Sequence, residues 1–142
     1  MLLLDVNVLF YGQRAEYPQH NAAREWLEGL LASGQAFAAT NATLSAVVRL
    51  ATNARWIENP SPLHEVFGFC AQIRGSSGWL DLSPGPRHWE IFERLCEVAN
   101  ARGDLVPDAF VAALAIEHDC ELITFDRGFR RFPGLRFSTP VS

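Results

Sequence analysis

Hydrophobic and polar positions fall in blocks along this chain, and the period changes from block to block. Leu2 to Val6 is a short apolar run that meets an acid, Asp5, near its end. Val8-Leu9-Phe10 resumes it, so the whole reads as a fully buried strand. Gln13 to Tyr17 is polar and reads as a loop, and Pro18 announces a helix start. Ala22, Ala23, Trp26, Leu27, Leu30 and Leu31 then recur at helical spacing until Ser33-Gly34 stops the helix. Ala36 to Thr40 is a second short buried strand. Thr40-Asn41-Ala42-Thr43 supplies cap residues for a helix through Leu44, Val47, Val48 and Leu50. After the turn Asn59-Pro60-Ser61-Pro62, a further helical face is made by Leu63, Val66, Phe67, Cys70 and Ile73, ending near Gly75 to Gly78.

Trp79 to Leu82 is a third strand, and Ser83 to Pro86 a turn. Trp89, Phe92, Leu95, Cys96 and Ala99 mark another helix. Gly103 to Pro107 reads as a loop, with Pro107 suited to the first turn of a helix that runs to about His118. Glu121 to Phe125 is a fourth strand and Leu135 to Thr139 a candidate fifth. Strands alternating with helices predict an α/β fold: a parallel sheet of four to five strands with helices on both faces. No repeat, low-complexity segment or linker interrupts it, so residues 1–142 are expected to form a single domain.

Composition narrows the picture. With 49% hydrophobic and 20% charged residues the chain is globular. At 142 residues it can bury roughly two-thirds of its unfolded surface without a disulfide or structural metal. Cys70, Cys96 and Cys120 are odd in number and lack C-x-x-C spacing, which argues against a disulfide framework or zinc site. They read as small hydrophobes in a reducing, cytoplasmic protein. Asp5 and Asn7 break the apolar start, and no basic residue precedes it, so it does not read as a signal peptide. No apolar run of about 18 residues is present, so no membrane span is expected. Among the tryptophans, Trp26, Trp79 and Trp89 are expected in the core and Trp56 near a turn.

Net charge is −4, which by itself disfavours a polyanionic partner. The distribution qualifies this. All 12 basic residues are arginine, and Arg127, Arg130, Arg131 and Arg136 follow Asp126 with no acid among them. The plain reading of such a patch is a solvated surface. The functional reading is a local site for backbone phosphates.

Three acids far apart in sequence are placed to meet. Parallel sheets bind ligands beyond the carboxyl ends of their strands. Asp5 lies near the end of the first strand, Asp126 directly follows the fourth, and Asp108 opens a helix arriving from the same edge. Each has a structural reading as well: Asp5 as a strand end, Asp108 as an acid at a helix dipole, Asp126 as a turn residue. An acid within Leu2 to Phe10, however, is expensive to bury. Clustered carboxylates are kept mainly where a cation neutralises them, and oxygen-only ligands suit Mg²⁺ or Mn²⁺. Such an ion serves phosphodiester hydrolysis. Asp104 reads as a loop acid. His20, His64, His88 and His118 show no metal spacing.

Together these motifs resemble a PIN domain, specifically a VapC-type toxin of a type II toxin–antitoxin pair, over nearly the whole chain. The resemblance is carried by Leu4-Asp5-Val6-Asn7-Val8-Leu9 at the front. At the back it is carried by Asp104 to Ala109, Ala112 to Ala115, Leu122 to Phe129 and Arg131 to Leu135. In the middle, Leu44 to Asn53 fits too, but Ala46 stands where many relatives carry a glutamate three positions before the arginine. The resemblance implies a three-layer sandwich and a Mg²⁺- or Mn²⁺-dependent endoribonuclease. Asp5, Asp108 and Asp126 would hold the metal, with Asn7 and Thr124 bonding behind them, and Arg127, Arg130 and Arg131 would track RNA. It also implies a VapB-like antitoxin partner and a homodimer. The Ala46 position leaves open an alternative, a non-catalytic RNA- or partner-binding module with a degraded site.

Two other readings fit poorly. A phosphatase of the haloacid dehalogenase type needs a second Asp two residues after the first, where this chain has Asn7, and it needs a lysine, of which there is none. A dinucleotide site needs G-x-G-x-x-G after the first strand, which is missing.

Overall fold

Consecutive residues of a strand face opposite sides of the sheet, and in this chain the alternation sorts the interior into two cores. The computed structural model describes residues 1–140. In it β1 (Leu2–Leu4) sends Leu3 one way and Leu4 the other. β2 (Phe37–Ala38) and β4 (Glu121–Ile123) do the same, with Ala38 and Leu122 siding with Leu3, and Phe37 and Ile123 with Leu4. The Leu4 side is covered by α1 (Val6–Gln13), α2 (His20–Ser33), α3 (Asn41–Ala51) and α4 (Leu63–Arg74). The Leu3 side is covered by α5 (His88–Ala99) and α6 (Leu105–Glu117), with Phe129 and Phe132 added. Together with β3 (Trp79–Leu80) and β5 (Phe137–Ser138), the sheet has five strands in the order β3-β2-β1-β4-β5, every pair parallel. The expected parallel sheet with helices on both faces is therefore present, fifth strand included.

The order matters for function. The chain steps outward from β1 to β3, then returns to the other side of β1 as β4. Connections therefore leave β1 and β4 in opposite directions. That is the switch point at which open parallel sheets form a crevice beyond their carboxyl ends. Asp5 and Thr124 are the residues that emerge there.

Several expectations are corrected. The strand does not continue through Phe10: it stops at Leu4, and Val6–Gln13 is a helix. A short run this rich in apolar residues satisfies either periodicity, and Asp5 decides the matter. Its extended backbone and its side chain, accepting from Val6 N, make it the N-cap of α1. The segment from Gln13 is therefore helix end before it is loop. β2 and β3 are shorter than expected; β2 ends early because Thr40 leaves the sheet to cap α3 by accepting from Thr43 N. α6 begins at Leu105, so Pro107 lies inside its first turn and the preceding loop is shorter. Trp89 is 66% exposed, not core: α5 buries the stripe His88, Ile91 and Leu95, which passes Trp89 by. Trp56 is exposed as expected. Trp26 and Trp79 pack against the first core.

The cysteines are all free, Cys70 and Cys120 buried and Cys96 half-buried. Among the described residues no helix is long and apolar enough to cross a membrane.

Gly78 tests how tightly β2 and β3 are joined. Its carbonyl accepts from Phe37 N at 2.9 Å, and a Cβ built on it would lie 2.1 Å from the Gln35 carbonyl oxygen. Backbone cannot yield as a side-chain tip can. Gly78→Ala is expected to destabilise the fold by about 3 kcal/mol, through displacement of the β2–β3 register. A thermal melt unchanged from wild type would contradict this.

Candidate active site

Asp5 is held from three directions. Its Oδ1 accepts from Val6 N at 2.8 Å. Its Oδ2 accepts from the Thr124 hydroxyl at 2.8 Å and from Asn7 Nδ2 at 3.3 Å. Thr124 is completely buried, and its Oγ1 in turn accepts from Asn7 Nδ2 at 3.0 Å and from Asp126 N at 3.0 Å. The Asn7 Oδ1 accepts from Phe125 N at 3.1 Å. One hydroxyl and one amide thus lace the β1–α1 junction to the end of β4, with each donor and acceptor used. Asp5 N also donates to Ile123 O at 2.9 Å, which extends the β1–β4 pairing up to the acid itself.

Asp126 follows this network immediately. It caps a short 3-10 helix over Arg127–Arg131, its Oδ1 accepting from Gly128 N at 2.8 Å, and its side chain is exposed. Asp108 sits half-buried in the first turn of α6. Asp104 is the N-cap residue of α6 without a side-chain cap bond, and is exposed.

The electrostatics link these acids. Burial pushes the Asp5 carboxyl above its ordinary value; the Thr124 and Val6 hydrogen bonds pull it back, and the Asp126 charge pushes it up again. The Asp108 carboxyl is pushed up to about 6, first by burial and then by the charges of Asp5 and Asp126; Arg131 lowers it and Asp104 adds a further push. Asp5, Asp108 and Asp126 therefore share one field of mutual repulsion. They do not form a closed cage: among the described residues no three acid, imidazole or thiol side chains are grouped as a ready metal site.

The structure thus ties Asn7 and Thr124 to Asp5 directly, and places Asp108 within electrostatic reach. Ala46 lies half-buried on α3 and contributes no carboxylate. Of the arginines after Asp126, Arg136 leaves the group: its Nη2 pairs with Asp119 Oδ1 at 2.9 Å. Sequence reasoning missed the capping role of Asp5 and the part played by Gly128. The signal for the second was the Asp-x-Gly spacing, which suits a carboxylate accepting from a backbone N–H two residues on.

The model of the PIN domain family matches residues 2–135. Ribonucleases VapC25 and VapC31 of Mycobacterium tuberculosis are each 41% identical to this chain over 140 residues, covering 99% of either partner. The chain belongs to the VapC ribonucleases of the PIN-domain family. Solved structures agree on the fold of this VapC chain. VapBC2 from Rickettsia felis, bound to a DNA fragment from its promoter, matches with a TM-score of 0.68 at 16% identity over 97% of each chain. A toxin–antitoxin complex from Klebsiella pneumoniae matches with a TM-score of 0.65 at 22% identity over 100% of this chain and 99% of that one.

Proposed function

We propose that this VapC chain is a divalent-metal-dependent endoribonuclease, the toxin of a type II toxin–antitoxin pair, with its chemistry at Asp5, Asp108 and Asp126. The observation that carries the reading is the buried Asp5 carboxylate, fixed by Thr124, Asn7 and Val6 at the β1/β4 crevice, with the charges of Asp108 and Asp126 close by.

The donors fit a magnesium-like ion. They are all oxygens, and their repulsion is what a cation would relieve. The absence of a closed cage also suits Mg²⁺ or Mn²⁺, since such ions often keep most of their waters and use one or two carboxylates. When bound, the ion supplies charge neutralisation and water activation for in-line attack on a phosphodiester. The chain's own residues do the positioning. Thr124 and Asn7 fix which way the Asp5 oxygens face. Gly128 N does the same for Asp126. Arg127, Arg130 and Arg131 offer the RNA backbone a cationic strip beside the acids, which offsets the chain's net negative charge where it matters.

Ala46 favours the second reading, a binding module without catalysis. The intact Asp5–Asn7–Thr124 network supports catalysis over it, because such a buried charge is costly to maintain for binding alone. An antitoxin partner of the VapB type is supported by the toxin–antitoxin complexes among the structural neighbours. A homodimer and a cytoplasmic setting complete the proposal, the latter supported by three unpaired thiols.

The test is cleavage of total RNA by the purified protein. Discrete fragments are expected with Mg²⁺ or Mn²⁺ and none in EDTA. Cleavage that persists in EDTA, or RNA binding without cleavage under any metal, would overturn the reading. Co-expression of the gene immediately upstream is expected to suppress the activity.

A further inference from the structure

In sequence Arg127, Arg130 and Arg131 are equivalent members of a basic patch. The structure separates them. The 3-10 helix that carries them is pinned to the second core by Phe129 and Phe132, both buried. Arg131 Nε donates to Gly128 O at 2.8 Å, which folds its side chain back along the helix toward Asp126. A Cβ on Gly128 would lie 2.9 Å from Asp126 Oδ1 and 3.1 Å from Arg131 Nη2, so the carboxylate and the guanidinium flank one point in space.

Among the described residues, Arg131 is the one of the three whose side chain is anchored by a hydrogen bond, and it lies toward Asp126. Yet among the described residues Arg131 makes no ion pair, unlike Arg14, Arg24 and Arg136, each engaged by an acid. Its Nε is anchored, and its Nη2 lies on the Asp126 side of Gly128 without an ion pair to that carboxylate. A guanidinium held in this way presents a fork suited to two phosphate oxygens.

We propose that Arg131 is a catalytic residue that grips the non-bridging oxygens of the scissile phosphate, held in place by its Nε bond to the Gly128 carbonyl. The inference rests on the ribonuclease reading and assigns one arginine of that strip to the reacting phosphate. Phosphodiester oxygens gain charge as the attacking oxygen adds. A fixed cation beside them therefore favours the transition state over the bound substrate. The bland alternative is that Arg131 only screens the carboxylates from one another.

The experiment compares wild type, Arg131→Gln and Arg131→Lys on an RNA that wild type cleaves, under single-turnover conditions, with Mn²⁺ affinity and thermal melting measured on the same preparations. Arg131→Gln is expected to cut the rate about 100-fold while RNA affinity changes little. Mn²⁺ affinity is expected to stay level or tighten, since a cation has left the rim. Arg131→Lys keeps the charge but not the fork, and is expected to remain at least about 10-fold slow. Cleavage by Arg131→Gln at the wild-type rate would overturn the proposal, as would rate loss matched by loss of Mn²⁺ affinity. If Arg131→Gln fails to fold, full activity in Arg131→Lys overturns it instead. Failure of wild type itself to cleave RNA would sink the ribonuclease reading, a distinct outcome.

Discussion

Asp5→Asn is expected to remove RNA cleavage, by about 1,000-fold or more, while the protein still folds, with a melting temperature lowered by a few degrees. The two halves of this expectation come from the same carboxylate. As a helix cap, asparagine is as good as aspartate, so Val6 N keeps an acceptor and α1 keeps its start. On the other side the amide can donate where the carboxylate accepted. The Thr124 hydroxyl already accepts from Asn7 Nδ2 and Asp126 N and has no lone pair left for it, so the 2.8 Å bond from Thr124 to Asp5 is lost. Loss of a buried charge beside Asp126 offsets part of that loss. What the amide cannot supply is a charged oxygen ligand at the crevice. Cleavage gels in Mn²⁺, set beside circular dichroism melts, separate the outcomes. Activity within 10-fold of wild type would mean that the chemistry lies elsewhere; an unfolded variant would mean that Asp5 is primarily structural.

Much of this arrangement was legible in the sequence, and the reasons differ from residue to residue. The parallel sheet could be read because short apolar runs alternate with helical faces and are separated by Gly and Pro turns. Asp5 stood out because an acid inside Leu2 to Phe10 needs a reason. The same run concealed α1, since unbroken apolar character carries no period, and only the cap geometry at Asp5 reveals the helix. Thr124 and Asn7 could be named as partners of the acids, but their mutual bonds span more than a hundred residues and depend on the β1–β4 register. Trp89 was misplaced because one residue's step around α5 moves a side chain from core to solvent. The arginines after Asp126 were indistinguishable as letters. What singles out Arg131 is the turn of a 3-10 helix that brings its Nε onto the Gly128 carbonyl.

Asp108→Asn is expected to act in opposite directions on activity and stability. Cleavage falls with loss of the acid, while the metal-free protein becomes more stable at pH 7.5. The sign follows from linkage. The folded protein holds the Asp108 proton up to about 6, against 3.8 for the ordinary side chain, so folding favours the protonated form. Its stability is therefore full below the ordinary value and declines as pH rises from about 4 through 6. Above that the charged carboxylate stands against Asp5 and Asp126. Asparagine removes the repulsion. Because Asp108 is half-exposed, solvent screening reduces the gain to about 1 kcal/mol, or a few degrees in melting temperature for a chain of this size. The advantage should disappear near pH 4, where Asp108 itself is neutral, and should shrink when Mg²⁺ or Mn²⁺ is added, because a cation relieves the same strain in wild type. Melting curves of both proteins across pH 4 to 8, with and without Mn²⁺, test all three points. A variant less stable than wild type at pH 7.5 would show that Asp108 is not repelled by its neighbours, and would remove the electrostatic ground for placing a cation among them.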